Sequence, residues 1–487
     1  MPETKTLPDL VAQHATRFAD RIAIVHHDRT ISYGQLWADV QGATLWLRKA
    51  GVLPGHFAGI TVRDEYLHLV ACLALLETGC SQVGLPSFEP AQSRIATAAR
   101  LGLSLLIVDS PAMALPGVAS ACLDAAALKH TPRDFATPVA RQLTECEPII
   151  VFTSSGTTGL PKLVPVTQSQ MLARPYAYHA LPEALLIMTP VENNPSRMLA
   201  LTCLMFGTKA VLSSTLGLEP VSGVCLKHGV TDAVIYAYHA KNLIQEAIAA
   251  GRTRPLLDGV RIHLVGSFIE RDLYAQALEH LSAATFIQYG TMESGAVTKT
   301  AERAEYLEHG SVGRPLPGVR LEVICEDGTA APTRTAGRIR FTTPAMVQAY
   351  LDDEVATRRH FIDGWFHPGD VGMFAPDGGL IFLGRADDMM NLNGIKIFPA
   401  EIEAVASRFP GVVEAAAFAL KSPRHGDIPM LAYVGDATVQ GAQLLEFCRN
   451  KLGVRAPKKA IRVEAIPRTS TGKPIRDQLL PARDEQA

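Results

Sequence analysis

The stretch Ile149-Ile150-Val151-Phe152-Thr153-Ser154-Ser155-Gly156-Thr157-Thr158-Gly159-Leu160-Pro161-Lys162 decides how the rest of the chain is read. Its first four residues are an apolar run of the kind that forms a buried strand. The run opens into a loop of hydroxyls and glycines that ends in one lysine. Glycine permits positive φ and lets backbone N–H groups approach an anion, Ser and Thr donate through their hydroxyls, and the lysine supplies charge. This is the composition of a phosphate cradle at the end of a strand. It is not a Walker loop, which needs Gly-Lys followed by Ser or Thr, because Lys162 follows Pro161 and precedes Leu163. Alone, the segment is read equally well as a solvated Ser/Gly connection, so the decision comes from its surroundings.

Outward from that loop, strands and helices alternate. Arg21 to His26 reads as a strand, and Ser32 with Gln35 has the spacing of a capping box before a helix carrying Leu36, Val40, Ala43 and Leu47. Gly51 stands where a C-cap glycine belongs. Phe57 to Val62, Leu105 to Val108, Lys209 to Ser213, Asp232 to Tyr236 and Arg261 to Val265 are further strand candidates, each beside a helical stretch. Such alternation predicts a parallel, doubly wound α/β sheet. From Pro315 to Phe382 the texture changes to short β-branched runs punctuated by Gly and Pro, which predicts a small antiparallel barrel or sheet. After the polar segment Gly384 to Asp388 an α+β rhythm follows, with a helix over Pro399 to Arg408 and strands over Val412 to Leu420 and Pro429 to Val434. The expected division is an N-terminal domain over 1–383, a hinge over 384–388 and a small mobile C-terminal domain over 389–487.

Bulk properties bound the function. A chain of 487 residues is too long for one ordinary core. With 47 % hydrophobic and 19 % charged residues it is a well-buried globular protein. Its formal net charge of −2 offers no global attraction to nucleic acid or to an anionic membrane. Eight cysteines without a Cys-x-x-Cys pair argue against a zinc site or a disulfide framework, and no apolar run reaches the length of a membrane span. A cytoplasmic protein is the plain expectation.

Four later segments carry chemistry. Gln288-Tyr289-Gly290-Thr291-Met292-Glu293 ends a strand with an aromatic that can stack on a base and a carboxylate that can hold Mg²⁺. Gly364-Trp365-Phe366-His367-Pro368-Gly369-Asp370 presents an aspartate able to accept from ribose hydroxyls. Gly384-Arg385-Ala386-Asp387-Asp388 offers an arginine for ribose or phosphate. Thr469-Ser470-Thr471-Gly472-Lys473 places a lysine in a hydroxyl-rich loop close to the C-terminus. Each alone is equally an ordinary strand end, turn, linker or tail.

Together, in this order, the five segments resemble the signatures of the adenylate-forming superfamily, which comprises acyl- and aryl-CoA synthetases, peptide-synthetase adenylation domains and luciferases. The resemblance spans nearly the whole chain. It implies ATP and Mg²⁺ as cofactors and an acyl-adenylate intermediate. By position, Thr153, Ser154, Ser155, Gly156, Thr157, Thr158, Gly159 and Lys162 would hold the β- and γ-phosphates. Tyr289 would stack on adenine within Gln288 to Met292, with Gly266-Ser267-Phe268 on its other side. Glu293 would hold the metal, Asp370 and Arg385 the ribose, Asp387 would be the hinge, and Lys473 would bridge the substrate carboxylate and the α-phosphate.

The chain departs from the superfamily pattern at two places. Met292 stands where a threonine is usual, which removes one hydroxyl donor. In the expected acid pocket, Glu192, Asn193 and Asn194 replace the usual aromatic and histidine, or the aspartate of α-amino-acid domains, which favours an acid bearing a polar group. Tyr236, Tyr238, His239, Gly290 and Gly295 are expected to line the same pocket; solvent-facing helix caps are the competing reading of the asparagines. The expected acceptor is coenzyme A, with the phosphopantetheine of a separate acyl carrier protein as the alternative.

Overall fold

The computed structural model describes residues 6–27, 29–129, 147–154, 161–174, 181–213, 221–266, 269–301, 310–422, 425–468 and 474–479. Of the residues expected at the site, Ser155 to Gly159, Ser267, Phe268 and Lys473 lie outside them.

The chain opens with α1 (Leu7–Arg17), capped by Thr6 and Asp9 in a reciprocal capping box. β1 (Ile22–His26) and β2 (Arg29–Ser32) form a hairpin that leads into α2 (Tyr33–Lys49). Ser32 caps α2 by accepting from Gln35 N at 3.2 Å, but the Gln35 side chain turns forward to Asp39, so only half of the expected capping box forms. β3 (Phe57–Thr61), α3 (Glu65–Glu77), β4 (Ser81–Gly84), α4 (Ala91–Leu101), β5 (Leu105–Val108) and β6 (Ser120–Cys122) follow. They build a parallel sheet completed by β7 (Pro148–Ser154) and, antiparallel to it, β8 (Lys162–Thr167), in the order β6-β5-β3-β4-β7-β8. Both faces of its central strands are covered, which is why Leu105–Val108 is apolar throughout.

After α5 (Gln168–Ala173), a second sheet is wound from β9 (Ala184–Ile187), α6 (Asn194–Met205), β10 (Lys209–Leu212), α7 (Val221–His228), β11 (Asp232–Tyr236), α8 (Ala237–Ala249), β12 (Arg261–Val265), α9 (Arg271–His280) and β13 (Thr285–Thr291). β14 (Gly295–Lys299) and β15 (Arg314–Pro315) extend one edge and the β1–β2 hairpin the other. The expected alternation is therefore present, as two sheets side by side.

A mainly antiparallel unit comes next: β16 (Arg320–Ile324), β17 (Gly337–Thr342), α10 (Glu354–His360), β18 (Phe361–Ile362), β19 (Trp365–Phe366), β20 (Asp370–Phe374) and β21 (Leu380–Arg385). The last sheet holds β22 (Met390–Leu392), β23 (Ile395–Ile397), β24 (Val412–Ser422), β25 (Gly426–Gly435) and β26 (Lys459–Arg462), with α11 (Pro399–Ala406) and α12 (Gly441–Leu452) around its own core. It meets the preceding units through polar contacts such as Arg408–Asp272 at 2.7 Å and Lys396–Glu326 at 3.2 Å, all four side chains being well exposed. No helix among the described residues is long and apolar enough to cross a membrane.

Candidate active site

Sheet register brings two of the sequence motifs together. Asp370 opens β20 and pairs with Arg385 at the end of β21, so the Gly-Asp and Gly-Arg segments are cross-strand neighbours. Arg385 Nη1 lies 3.3 Å from Asp370 Oδ1 and donates to the Pro368 carbonyl at 2.8 Å. Burial opposes the Arg385 charge, yet the carboxylates of Asp370, Asp387 and Asp388 outweigh it and raise the guanidinium pKa. The Tyr289 hydroxyl donates to the other Asp370 oxygen at 2.6 Å. Burial, together with that carboxylate, pushes the Tyr289 phenol well above its ordinary value, and its ring rests against Phe382 with centroids 5.7 Å apart.

Glu293 sits in the tight turn that joins β13 to β14, yet it is only 8 % exposed. Its Oε1 accepts from the Tyr350 hydroxyl at 2.8 Å. The Tyr350 ring in turn lies under the Lys162 ammonium, 4.9 Å from ring centroid to Nζ. Lys162 is the first residue of β8, paired with Ser154 across the β7–β8 hairpin. Its Nζ lies 2.9 Å from His360 Nε2, at the end of α10. Burial lowers the Lys162 pKa, opposed by Glu293. One more link closes the group: Arg359 donates to Asp387 at 3.3 Å, and Asp387 also lies 3.6 Å from Arg385. Lys162, Glu293, Asp370, Arg385 and Asp387 therefore border one polar region between the β7–β8 hairpin, the β13–β14 turn and the β20–β21 pair.

The pocket residues fall into two groups. Asn194 donates to both the carbonyl and the hydroxyl of Thr153, at 2.7 and 3.0 Å, and so ties the start of α6 to the end of β7. Asn193 occupies the N-cap position of α6 but makes no capping bond, and it is buried, so the solvent-facing cap reading does not hold. Glu192 directs its carboxylate to Ser87, accepting from N and Oγ at 2.7 and 2.9 Å. The second group is aromatic. Tyr236, Tyr238 and His239 cluster at the end of β11, the last two with ring centroids 3.9 Å apart, and burial pushes the His239 pKa down to about 4. Gly266 is forced by this cluster: with φ of +93°, a Cβ there would lie 2.4 Å from the Tyr236 ring. Gln288, next to Tyr289, turns to His263 at 3.0 Å. Met292 offers its backbone carbonyl to Arg174 at 2.8 Å, and across the β13–β14 hairpin Gly290 pairs with Ala296 and Gly295 with Thr291.

Sequence reasoning missed Tyr350, His360, Arg359, Arg174 and Arg197. For Arg197 there was a usable signal, a lone charge inside the apolar helix Asn194–Met205.

Glu293 is the one carboxylate at the turn, and no group of three or more His, Cys, Asp or Glu among the described residues could hold a metal. That donor set suits Mg²⁺, which keeps waters and takes phosphate oxygens, and does not suit zinc.

The family model of AMP-binding enzymes matches residues 11–351, and that of the AMP-binding enzyme C-terminal domain matches residues 401–473. The chain belongs to the AMP-binding enzyme family. It is thus a member of the adenylate-forming superfamily, with the mixed α/β fold of that group. A similar curated protein is a 2-succinylbenzoate–CoA ligase of Bacillus cereus, 24 % identical over 485 residues and covering 98 % of each chain. The fold is shared with o-succinylbenzoate CoA synthetase (MenE) of Bacillus subtilis in complex with its acyl-adenylate intermediate, at TM-score 0.88, 23 % identity and 99 % coverage of both chains. It is also shared with the amide bond synthetase McbA of Marinactinospora thermotolerans, at TM-score 0.82 and 22 % identity, over 97 % of this chain and 99 % of that one.

Proposed function

We propose that this AMP-binding enzyme activates an aryl or polar acyl carboxylic acid with ATP, releasing pyrophosphate and forming an acyl-adenylate, and then passes the acyl group to the thiol of coenzyme A. The observation that carries this reading is the continuous chain of contacts from Lys162 through Tyr350 to Glu293, beside the Tyr289–Asp370–Arg385 group. The named CoA ligases among its relatives favour coenzyme A over a carrier protein as acceptor.

The reaction joins two anions, a carboxylate and the α-phosphate, so its barrier is electrostatic and little acid–base chemistry is needed. Lys162, with the loop from Thr153, holds the phosphates that leave. Asp370 accepts from the ribose hydroxyls and Arg385 fixes Asp370. Glu293 would hold Mg²⁺, which would supply positive charge against the phosphate oxygens. Lys473 reaches the reacting carboxylate from the C-terminal domain, which we place after residue 383 with its hinge at Asp387. The exposed ion pairs between that domain and the rest are worth about 0–1 kcal/mol each, so they oppose a rotation only weakly. A cytoplasmic setting, with ATP, coenzyme A and reduced thiols at hand, fits the free cysteines of the described residues.

Purified protein with ATP, Mg²⁺ and a panel of aryl, fatty, dicarboxylic and β-amino acids is expected to release pyrophosphate with at least one class, and to form a CoA thioester of the same acid. No pyrophosphate release across the panel sinks the reading; release without thioester sinks its second half.

A further inference from the structure

The two ends of the expected nucleotide site belong to separate sheets. Lys162, the one cation of the phosphate motif, opens β8, whereas Asp370 opens β20 in the antiparallel unit. A ligand that spans both ends needs their separation and their aim fixed. Backbone supplies part of this, because Leu351 N donates to the Leu163 carbonyl at 2.9 Å and so seats the segment before α10 against β8. That contact fixes the Lys162 main chain but not its ammonium, which rides on a flexible four-carbon stem.

His360, the last residue of α10, reaches both ends. Its ring is buried, edge-on to Tyr350 with centroids 5.9 Å apart and stacked on Phe366 at 6.0 Å, so it is held on two sides. Nε2 lies 2.9 Å from Lys162 Nζ and Nδ1 lies 2.6 Å from the His367 carbonyl oxygen. With an ammonium on one side and a carbonyl on the other, the ring accepts at Nε2 and donates from Nδ1. A backbone bond reinforces the second link, His367 N donating to the His360 carbonyl at 2.7 Å.

His367 opens the turn His367-Pro368-Gly369-Asp370, and Arg385 donates to the Pro368 carbonyl of the same turn at 2.8 Å. One imidazole therefore joins the phosphate lysine to the turn that carries the ribose aspartate. Of the three N–H bonds of the Lys162 ammonium, His360 takes one, and the Tyr350 face lies 4.9 Å from Nζ. The two remaining N–H bonds are left for phosphate oxygens.

We propose that His360 is a positioning residue for ATP, which acts through Lys162 and holds its ammonium in register with the ribose-binding turn before the nucleotide arrives. The inference rests on the ATP-using reading above. Ordering the lysine in advance removes its rotamer entropy from the cost of holding the phosphates. The entropy of one lysine side chain limits the effect to about 30-fold.

Dissociation constants for ATP with Mg²⁺ and for AMP, measured by calorimetry without any acid, test this in wild type, His360→Leu, His360→Asn, His360→Gln, Lys162→Met and the Lys162→Met/His360→Leu double variant. Glutamine can place its amide oxygen where Nε2 stands, and asparagine its amide nitrogen where Nδ1 stands, so only glutamine keeps the acceptor for Lys162. His360→Leu and His360→Asn are expected to weaken ATP about 10- to 30-fold, and AMP, which lacks the phosphates that Lys162 would hold, less than about twofold. His360→Gln is expected to stay within about threefold of wild type for both nucleotides. In the Lys162→Met background, His360→Leu is expected to change ATP affinity less than about twofold, because its effect passes through the lysine. The asparagine and glutamine variants carry the comparison if the leucine variant does not fold. Unchanged ATP affinity in His360→Asn, equal losses for ATP and AMP, glutamine no better than asparagine, or an undiminished loss in the Lys162→Met background overturns the positioning role. The expected pattern in an enzyme that releases no pyrophosphate with any acid upholds His360 and sinks only the acid-activating reading. A wild type that binds neither nucleotide overturns both.

Discussion

The Lys162 ammonium donates to His360 Nε2 at 2.9 Å, and Nδ1 of the same ring lies 2.6 Å from the His367 carbonyl oxygen. An ammonium only donates and a carbonyl only accepts, so the imidazole is neutral with its proton on Nδ1. Burial lowers the His360 pKa, the His367 carbonyl opposes this, and Lys162 adds to it. Glu293 and Arg359 also act on this ring, and Tyr350 packs edge-on against it. The folded pKa lies below the ordinary value of 6.5, so the unfolded chain binds the proton first. The stability from neutral His360 is present above pH 6.5 and is lost as pH falls through the folded pKa. Melting temperatures of wild type are therefore expected to fall from pH 7 to pH 5 more steeply than those of His360→Gln. A residual slope is expected from other buried histidines, including His68, pushed down to about 3, and His239, at about 4. Parallel slopes in the two proteins would contradict the assignment.

From a position only 4 % exposed, Asp370 accepts from the Tyr289 hydroxyl and from the Arg385 guanidinium. Asp370→Asn keeps the shape but removes the charge and turns a donor toward one of those donors. Hydrogen bonds to charged groups contribute about 1.5–3 kcal/mol each. The KM for ATP is expected to rise roughly 10- to 100-fold, with a smaller change in kcat, since ribose is held alike in the ground and transition states. Steady-state kinetics with varied ATP decides the point, and a kcat loss at constant KM would place Asp370 elsewhere in the mechanism.

What was legible in the sequence depended on distance along the chain. Asp370 and Arg385 are 15 residues apart and joined by one strand pair, yet each motif alone reads as a turn or a linker, and only the superfamily resemblance implied a shared role. Tyr350 and Glu293 are 57 residues apart, and Lys162 and His360 are 198 apart; those contacts arise from the packing of separate sheets and leave no local pattern. Spacing alone also misled at Gln35, where Asp39 outcompetes the N-cap backbone for the side chain amide. Gln288 shares a motif with Tyr289, but alternation along β13 sends its side chain to His263 on the other face.

Lys473 is expected to act only in the step that forms the adenylate. Lys473→Ala should lower pyrophosphate exchange by about 10²- to 10³-fold, the scale of losing one oriented electrostatic donor, or roughly 2.7–4 kcal/mol. ATP affinity, measured by equilibrium binding without acid, should change far less, because Lys162, Asp370 and Arg385 remain. Thioester formation from chemically prepared acyl-adenylate should also survive. Pyrophosphate exchange at the wild-type rate in the variant would remove Lys473 from the mechanism.

Gly290 tests how tightly the turn carrying Glu293 is built. A Cβ on Gly290 would lie 2.2 Å from the Gly295 carbonyl oxygen and 2.8 Å from Ala296 Cα. Both are backbone atoms of the partner strand β14, so no flexible side chain can move aside. Gly290→Ala must therefore push β13 and β14 apart at the bulge between Tyr289 and Gly290, displacing Tyr289 and Glu293 together. A stability loss of about 1–3 kcal/mol is expected, the usual cost of overpacking, with adenylation falling more than the folded fraction does. Gly223→Ala is the control: it lies in helix α7 with nothing within 4 Å of the added carbon, and should stabilise by about 0.5–1 kcal/mol. Urea midpoints for both variants, with pyrophosphate release measured below the transition, separate the two effects. If Gly290→Ala behaves like Gly223→Ala, the turn is not the rigid mount for Glu293 that its geometry describes.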